Sequence, residues 1–234
     1  MTISNVNFNK AQAILQLAES LTGALASAQI SEQSVTGFLV GVGFNFPIAG
    51  ETFSIQPELL YLQKGFARAV AIDQSGAQVK VEATTQFNYL EIPLLAKVAF
   101  GSESIKAYLN AGPSLGYGLG GTTKVKGTAS FLGFPIPIPS QELEVKFGEA
   151  SANYDEEKEI YFDNRIDLGL QFGGGVAFKV GPGSILLDAR YGFGLSNLNK
   201  TPDPIPAGTS SSDYKSQSRT IALSLGYSIP LGGK

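Results

Sequence analysis

The chain has 234 residues, a formal net charge of −3 and only 16% charged residues. Its 43% hydrophobic content includes no unbroken apolar run of the ~18 residues that a membrane-spanning helix needs. Cysteine and histidine are absent, which excludes disulfide scaffolds, Cys/His zinc sites and the usual Ser-His-Asp or Cys-His catalytic centres. The net charge gives no basic surface for a nucleic-acid partner. The sequence also lacks the glycine motifs that bind phosphate-bearing cofactors, so no cofactor or metal is expected.

The first 28 residues hold two segments of different character. Residues 2–10 carry scattered apolar residues and form a weak candidate for a first strand. Residues 11–28 are mostly apolar at helical spacing, and polar residues such as Gln16 and Glu19 interrupt them. This pattern favours a short amphipathic helix in the first long loop. The alternative is a signal peptide that ends at Ala26-Ser27-Ala28. In the helix interpretation the export signal was removed upstream, and Met1 was added for expression.

The rest of the chain alternates apolar and small or polar residues with a period of two, the period of a β-strand. With residues 2–10 as the first, the predicted strands number about eight, an even count that suits an antiparallel barrel. They cover 2–10, 36–47, 52–62, 86–100, 104–120, 160–180, 185–196 and 221–229.

The connections between the predicted strands alternate in length. Short links lie near Ala49-Gly50, Gly101-Ser102-Glu103 and Gly181-Pro182-Gly183. Long loops are predicted near 12–34, 67–79, 127–156 and 200–214. Short turns on one rim and long loops on the other are typical of bacterial outer-membrane barrels, whose short turns are periplasmic and whose long loops are extracellular.

The composition of the two faces predicts which one meets lipid. One face is aliphatic and aromatic and almost free of charge over the ~9–11 residues that cross a bilayer at a tilt. The other face is rich in glycine, alanine and serine, which suits a narrow interior better than a water-exposed strand. The prediction would be contradicted if the apolar face packed together in a dry centre. Four residues of that face test this: Phe44, Leu94, Leu170 and Leu223.

Charged and polar residues on the small-residue face would point inward, where charges of both signs can pair. This predicts a structural network that fills the interior and leaves no continuous channel. Glu58 and Glu91 lie on neighbouring predicted strands and could instead form a catalytic carboxylate pair, although a structural role is favoured. The predicted network consists of Glu58, Glu91, Lys97, Lys106, Tyr108, Asp167, Gln171, Lys179, Asp188 and Arg190.

Three further features are ambiguous. Aromatic residues near strand ends suit either an interfacial girdle or ordinary strand packing; they are Tyr61, Phe87, Tyr117, Tyr191 and Tyr227. The acidic cluster at 154–159 fits no EF-hand spacing and favours a solvated loop over a calcium site. The apolar, proline-rich stretch at 131–139 would either contact a partner or pack over the barrel mouth.

Several segments resemble the PorT-like outer-membrane β-barrel proteins of Bacteroidetes. The most specific are QPELLY with the following Gln63, and YLEIPLL at 89–95; the resemblance covers nearly the whole chain outside the loops. It implies a monomeric eight-stranded barrel in the outer membrane, usually of unassigned function. The helix-like insert at 11–28 and the C-terminal Gly232-Gly233-Lys234, which lacks a terminal aromatic residue, depart from the family pattern.

The sequence therefore predicts a single all-β domain over 1–234, a closed antiparallel up-and-down transmembrane barrel that is not an enzyme. Its expected role is structural, adhesive or assembly-linked and is carried by the extracellular loops. Its expected partners are outer-membrane lipid and a protein that binds those loops. The alternatives are a barrel that binds or passes a small hydrophobic ligand, a barrel-type membrane enzyme, which the lack of histidine disfavours, and a soluble lipocalin-like binding protein.

Overall fold

The computed structural model describes residues 2–8, 29–50, 52–74, 77–148, 155, 158–197 and 216–231. These residues form one all-β sheet, and no helix occurs among them. None of these described ranges contains a helix long and apolar enough to cross a membrane. The predicted helix over 11–28 and the predicted loop over 200–214 lie outside the described residues.

Thirteen strands make up the sheet. They are β1 (Thr2–Phe8), β2 (Gln29–Gly37), β3 (Leu39–Gly43), β4 (Phe46–Ala49), β5 (Phe53–Gln74), β6 (Ala77–Gly101), β7 (Ile105–Phe131), β8 (Phe134–Pro137), β9 (Gln141–Phe147), β10 (Glu159–Phe162), β11 (Ile166–Val180), β12 (Gly183–Gly194) and β13 (Ser216–Ser228).

The strands pair antiparallel except for β9 and β10, which are parallel. Strands β5, β6 and β7 form a long meander, and β11, β12 and β13 continue it from the far side of β7. β1 pairs with β13 on one side and with β2 on the other. β2, β3 and β4 follow one another along β5.

The strands differ from the sequence prediction in number and length. The predicted strand 36–47 is divided among β2, β3 and β4, and the predicted strand 160–180 is divided between β10 and β11. β5 and β6 occupy most of the predicted loop 67–79, while the end of β7 together with β8 and β9 occupies much of 127–156. The sequence predicted loops over these segments because the outward face is no longer apolar there. Backbone pairing nevertheless continues through them.

Alternate residues of the sheet face outward, and those on the spanning strands are apolar. Phe44, Leu94, Leu170 and Leu223 are 51%, 49%, 46% and 52% exposed, so they lie on the outer surface and do not pack in a dry centre. On β6 this band runs from Leu90 to Phe100, whereas Asn88 and Gln86 on the same face are polar. At ~3.3 Å per residue and a tilt near 45°, such a band rises roughly 25 Å, the height of the apolar belt of outer-membrane barrels.

The core lies inside the sheet, near the end where β5 and β6 meet in their long hairpin. It is an aromatic and aliphatic cluster contributed by β5, β6, β9 and β10. Its members are Leu60, Leu62, Phe66, Phe87, Tyr89, Val145, Phe147 and Phe162. Apolar burial is therefore concentrated at one end of the interior, and polar groups occupy the remainder.

The wall is interrupted at the other end, where the short turns lie. β1 runs alongside residues 35–37 of β2 and 216–222 of β13 only. Between this level and the short turns, no ladder among the described residues joins β3 or β4 to the end of β13. The closure predicted for the full height of the barrel is thus not found there, because no described strand continues β1 toward the short turns.

Candidate functional site

A buried ion pair crosses the interior. Arg190 of β12 donates hydrogen bonds of 2.5 and 2.9 Å to the two carboxylate oxygens of Glu58 on β5. Its Nε lies 2.6 Å from Asp188, which accepts a 3.2 Å hydrogen bond from Asn110. Three strands, β6, β7 and β11, separate β5 from β12 along the sheet. The Glu58–Arg190 ion pair therefore connects distant parts of the wall. Such a pair is tolerated in a low-dielectric interior because each charge has a charged partner.

A second charged group lies closer to the aromatic cluster and is centred on Lys64 of β5. Its Nζ lies 2.6 Å from Asp167 and 3.6 Å from Glu91. Ser218 donates a 2.9 Å hydrogen bond to Asp167, and Gln171 donates one to Glu91. One ammonium therefore compensates two buried carboxylates, and neutral donors satisfy part of their remaining hydrogen-bonding capacity.

Sequence reasoning missed Lys64. It lies six residues beyond Glu58 on the same strand, and an even spacing along a strand keeps a side chain on the same face. The predicted strand ended at residue 62, which left Lys64 outside the pattern. Extending the alternation along β5 would have placed it inside.

The aromatic cluster lies next to Lys64 in the interior. The ring of Phe87 contacts those of Phe147 and Phe162, with centroids 5.9 and 4.8 Å away. Tyr89 packs edge-on to Phe147 at 5.8 Å, and the Lys64 ammonium lies 4.2 Å from the centre of the Tyr89 ring. Aromatic pairs at these separations are favourable beyond their apolar burial. The Lys64 ammonium is thus in contact with the edge of the aromatic cluster.

Gly118 of β7 makes room for the cluster. A Cβ atom at this position would lie 2.5 Å from Cε2 of the Phe147 ring, closer than real Cβ atoms approach. The glycine therefore permits the Phe147 ring to lie directly against the wall.

The other end of the interior holds a cavity of about 1420 Å³ that extends to the short turns. Lys97, Lys106 and Lys179 line it, and Glu58, Asp188 and Arg190 lie on its inner side. Lys97 donates a 3.1 Å hydrogen bond to Gln56, and its ammonium lies 3.9 Å from the centre of the Tyr108 ring. Charged side chains thus line much of this cavity.

The structure gathers most of the predicted network into two groups. Glu58, Asp188 and Arg190 form the first with Asn110, and Lys97 and Tyr108 lie beside it. Glu91, Asp167 and Gln171 form the second with Lys64. Lys106 is half-buried, and Lys179 is exposed near the turn, so Lys179 lies at the rim and not inside the network.

Glu58 and Glu91 are engaged separately, each with its own cation and amide donor. This arrangement favours the structural interpretation over a catalytic carboxylate pair. In the described parts of the chain, no group of three or more acidic residues could hold a metal ion.

Phe87, for which the sequence allowed an interfacial girdle or ordinary strand packing, is fully buried in the aromatic cluster, and Phe162 is buried there too. Both lie beyond the apolar belt, where the inner face is apolar. Tyr117 and Tyr227 are exposed on the outer surface, and Tyr61 and Tyr191 are half-buried.

The structure also places parts of the acidic cluster and of the apolar stretch that the sequence assigned to a long loop. Glu159 of the acidic cluster accepts a hydrogen bond from Lys146 of β9, while residues 154, 156 and 157 lie outside the described part. The hydrogen bond to Lys146 lowers the pKa of Glu159 and raises that of Lys146. The apolar stretch 131–139 forms the β7–β8 hairpin, and Phe131, Phe134 and Ile136 are exposed.

The all-β fold agrees with a comparison of the sequence with known families. Residues 4–200 match the outer membrane protein beta-barrel domain. No curated protein and no solved structure matches the sequence significantly. The family match covers most of the chain and includes both charged groups of the interior except Ser218. The chain belongs to the family of outer membrane protein beta-barrel domains.

Proposed function

We propose that the protein is a non-conducting outer-membrane barrel that anchors a projecting sheet of hairpins outside the bilayer. Membership of the family points to the outer membrane of Gram-negative-type bacteria, where the outer apolar band would contact lipid. The observation that carries the proposal is the series of side-chain contacts that leads from the Lys64 ion pairs through Tyr89 and Phe87 to the ring of Phe162. A plugged interior leaves the residues outside the membrane to perform the function.

An eight-stranded barrel wall is supported by the ladders at the level of β1. Following the pairs from β1 through β2, β5, β6, β7, β11, β12 and β13 leads back to β1. With β3 and β4 counted as continuations of β2, this gives about eight wall positions, for which the interior is just wide enough to be filled by side chains. The side chains of Arg190 and Lys64 reach partners across such an interior.

The projecting sheet is formed by the parts of β5, β6 and β7 beyond the apolar band, together with β8 and β9. On β6 it extends from Asn88 to Ala77, roughly 40 Å at ~3.3 Å per residue. Its outward face is polar there, with Lys80 and Glu82, whereas Val79 and Val81 on the opposite face are partly exposed. A sheet of this length outside the bilayer offers a surface for adhesion or assembly.

Several narrower features belong to the same proposal. The long hairpins would be extracellular and the short turns periplasmic, as in bacterial barrels generally. We propose a monomer without catalytic activity, which the absence of histidine and the paired state of Glu58 support. The narrower PorT-like assignment rests on the segments at 56–63 and 89–95.

Conductance in planar lipid bilayers tests the plug. The folded protein, recognised by a gel-migration shift on boiling, is expected to give no steady conductance. The variant Phe87→Ala/Phe147→Ala/Phe162→Ala removes three rings of the cluster and is expected to conduct, while Phe100→Ala on the outer face should remain silent. A steady conductance of the unaltered protein would refute the plugged interior. Shortening the β7–β8 hairpin by removing 129–136 should leave the gel shift intact.

A second function is favoured by the cavity of about 1420 Å³ at the short-turn end, a volume above that of many small-molecule sites. In this alternative the barrel binds a small amphipathic ligand between Lys97, Arg190 and Leu186. Mass spectrometry of organic extracts from the purified protein would test it. Leu186→Trp, which fills part of the cavity, should reduce the amount of any retained molecule, whereas Leu187→Trp on the outer face should not.

A further inference from the structure

The hairpin between β7 and β8 ends in an exposed apolar tip. Phe131, Leu132 and Phe134 are 52%, 68% and 76% exposed, and Ile136 beside them is 50% exposed. No charged residue occurs over 127–141, so the hairpin and its flanks are uncharged. Contiguous exposed apolar surface of this kind marks a contact with another molecule or with a membrane.

The turn of this hairpin holds a leucine in an unfavourable backbone conformation. Leu132 has a φ of 49° and Gly133 has a φ of 84°, between the paired residues Phe131 and Phe134. A two-residue turn with positive φ at both positions is a type I′ turn, for which Asn-Gly is a preferred sequence. Within the part of the chain that the structure describes, Leu132 is the only residue other than glycine with a positive φ. The turn therefore places a large apolar side chain at its outermost point, although asparagine would be conformationally easier there.

The prolines of β8 remove hydrogen-bond donors from its outer edge. Phe131 and Phe134 close the two-residue turn as a hydrogen-bonded pair, and such pairs alternate along an antiparallel ladder. Phe134 and Ile136 therefore direct their N–H groups toward β7. Pro135 and Pro137 occupy the positions whose N–H groups would point away from β7, and proline has no N–H group.

An edge without N–H donors suits lipid better than a partner strand. Among the described strands, β8 pairs with β7 alone. A strand added to its outer edge would find no donor at Pro135 or Pro137, and prolines on an edge block this kind of pairing. In an apolar medium each unpaired N–H group is costly, so the prolines lower the cost of moving the hairpin out of water. The tip also protrudes, because a Cβ atom at Gly133 would meet nothing within 4 Å.

The tip lies far from the apolar band of the barrel. Phe131 is paired with Ala77, the first residue of β6, whereas the band on β6 begins at Leu90. The separation along β6 is roughly 40 Å at ~3.3 Å per residue. Even at a strand tilt near 45°, the tip stands roughly 30 Å beyond the band. The bilayer that surrounds the barrel is therefore out of reach of the tip.

We propose that the tip of the β7–β8 hairpin inserts into a second lipid bilayer, which faces the barrel from outside. Phe131, Leu132 and Phe134 enter the nearer monolayer of that bilayer, and the charged residues of β6 and β7 behind the tip remain in water. This inference rests on the proposed function, which places the sheet outside the barrel's own bilayer. It specifies a lipid surface as the partner in adhesion.

A fluorescent label at the tip tests the proposal, because the chain has no cysteine of its own. Leu132→Cys is labelled with a polarity-sensitive, thiol-reactive fluorophore, and the folded protein is placed in lipid nanodiscs. Vesicles of phosphatidylcholine are then added. The emission is expected to shift to the blue and to increase severalfold as the tip enters the vesicle. The matched control is Lys80→Cys, which lies near the same end of the sheet but on its polar face, and its emission should not change.

Flotation of unlabelled variants with the same vesicles separates insertion from folding. Phe131→Ser/Leu132→Asn/Phe134→Ser should bind on the order of tenfold less than the unaltered protein, because it loses most of the apolar surface of the tip. Leu132→Asn alone should also bind less, although asparagine suits the turn and should leave the gel shift on boiling unchanged. Lys80→Ser should bind as the unaltered protein does.

The contrary results are distinguishable from one another. A label at Leu132→Cys that ignores vesicles would overturn the inference and leave the proposed function and its conductance test standing. A label that is already blue-shifted in the nanodisc alone would show that the tip lies in the barrel's own bilayer. That result would overturn both the inference and the projecting sheet. A blue shift that grows with protein concentration in the absence of vesicles would show that the tips bind one another, and would overturn the assignment to lipid.

Discussion

Arg190 of β12 and Glu58 of β5 are joined by two hydrogen bonds across the interior, although 132 residues separate them in the chain. The contact ties the last part of the meander to its beginning. It also places both charges beside the cavity, where each depends on the other for compensation. The stability of the barrel should therefore respond more strongly to the loss of Glu58 alone than to the removal of the charges of Glu58, Asp188 and Arg190 together.

Glu58→Ala is expected to destabilise the folded barrel by about 3–5 kcal/mol, because it leaves the Arg190 guanidinium buried with less compensation. The triple variant Glu58→Leu/Asp188→Asn/Arg190→Met should be much less affected, since none of the three buried charges remains. Urea titration in lipid vesicles, followed by the gel shift of unheated samples, measures both. Glu82→Ala in the exposed pair with Lys80 is the control and should change stability by less than about 1 kcal/mol. Equal effects of Glu58→Ala and Glu82→Ala would contradict the structural role of the crossing pair.

The apolar band on β6 predicts a depth-dependent cost of charge. Leu94→Arg places a guanidinium near the middle of the band and is expected to cost about 2–4 kcal/mol. Gln86→Arg lies on the same face of the same strand but beyond the band, and should cost close to nothing. The free energy of unfolding in vesicles distinguishes the two. A similar cost at both positions would show that this face does not meet lipid.

Gly118 is predicted to be required for the aromatic cluster. Gly118→Ala brings a Cβ atom within 2.5 Å of the Phe147 ring, so the ring must move. We expect a loss of roughly 1–3 kcal/mol from this overpacking. Gly192→Ala is the matched control, because its Cβ atom would meet nothing closer than 3.7 Å. Phe147→Leu should relieve part of the effect of Gly118→Ala, and a lack of any coupling between these two changes would argue against the contact.

The contact between β9 and β10 should weaken in acid. The hydrogen bond from Lys146 lowers the pKa of Glu159, so the folded state binds the proton less readily than the unfolded segment. The stabilisation is complete above the ordinary glutamate pKa and is lost as the pH falls through the lowered pKa of the folded state. Amide hydrogen exchange of β10 as a function of pH measures this. Glu159→Gln should remove the pH dependence; if the dependence persists, another group is responsible.

Alternation in the sequence was sufficient to assign most spanning residues to a face. The markers Phe44, Leu94, Leu170 and Leu223 are exposed as expected, and Glu91 and Asp167 are buried as expected. The same rule failed beyond the apolar band. There the inner face carries Phe87 and the outer face carries polar residues, so a prediction based on apolar outward residues ended the strands too early.

The sequence by itself determined the strand period, the side of the sheet that is apolar and the residue types available to the interior, because these depend on neighbours along the chain. Only the tertiary structure decided that Lys64 meets Asp167, that Arg190 meets Glu58 and that Phe147 packs in front of Gly118. Those contacts depend on ladder register and on which strands lie across the interior from one another.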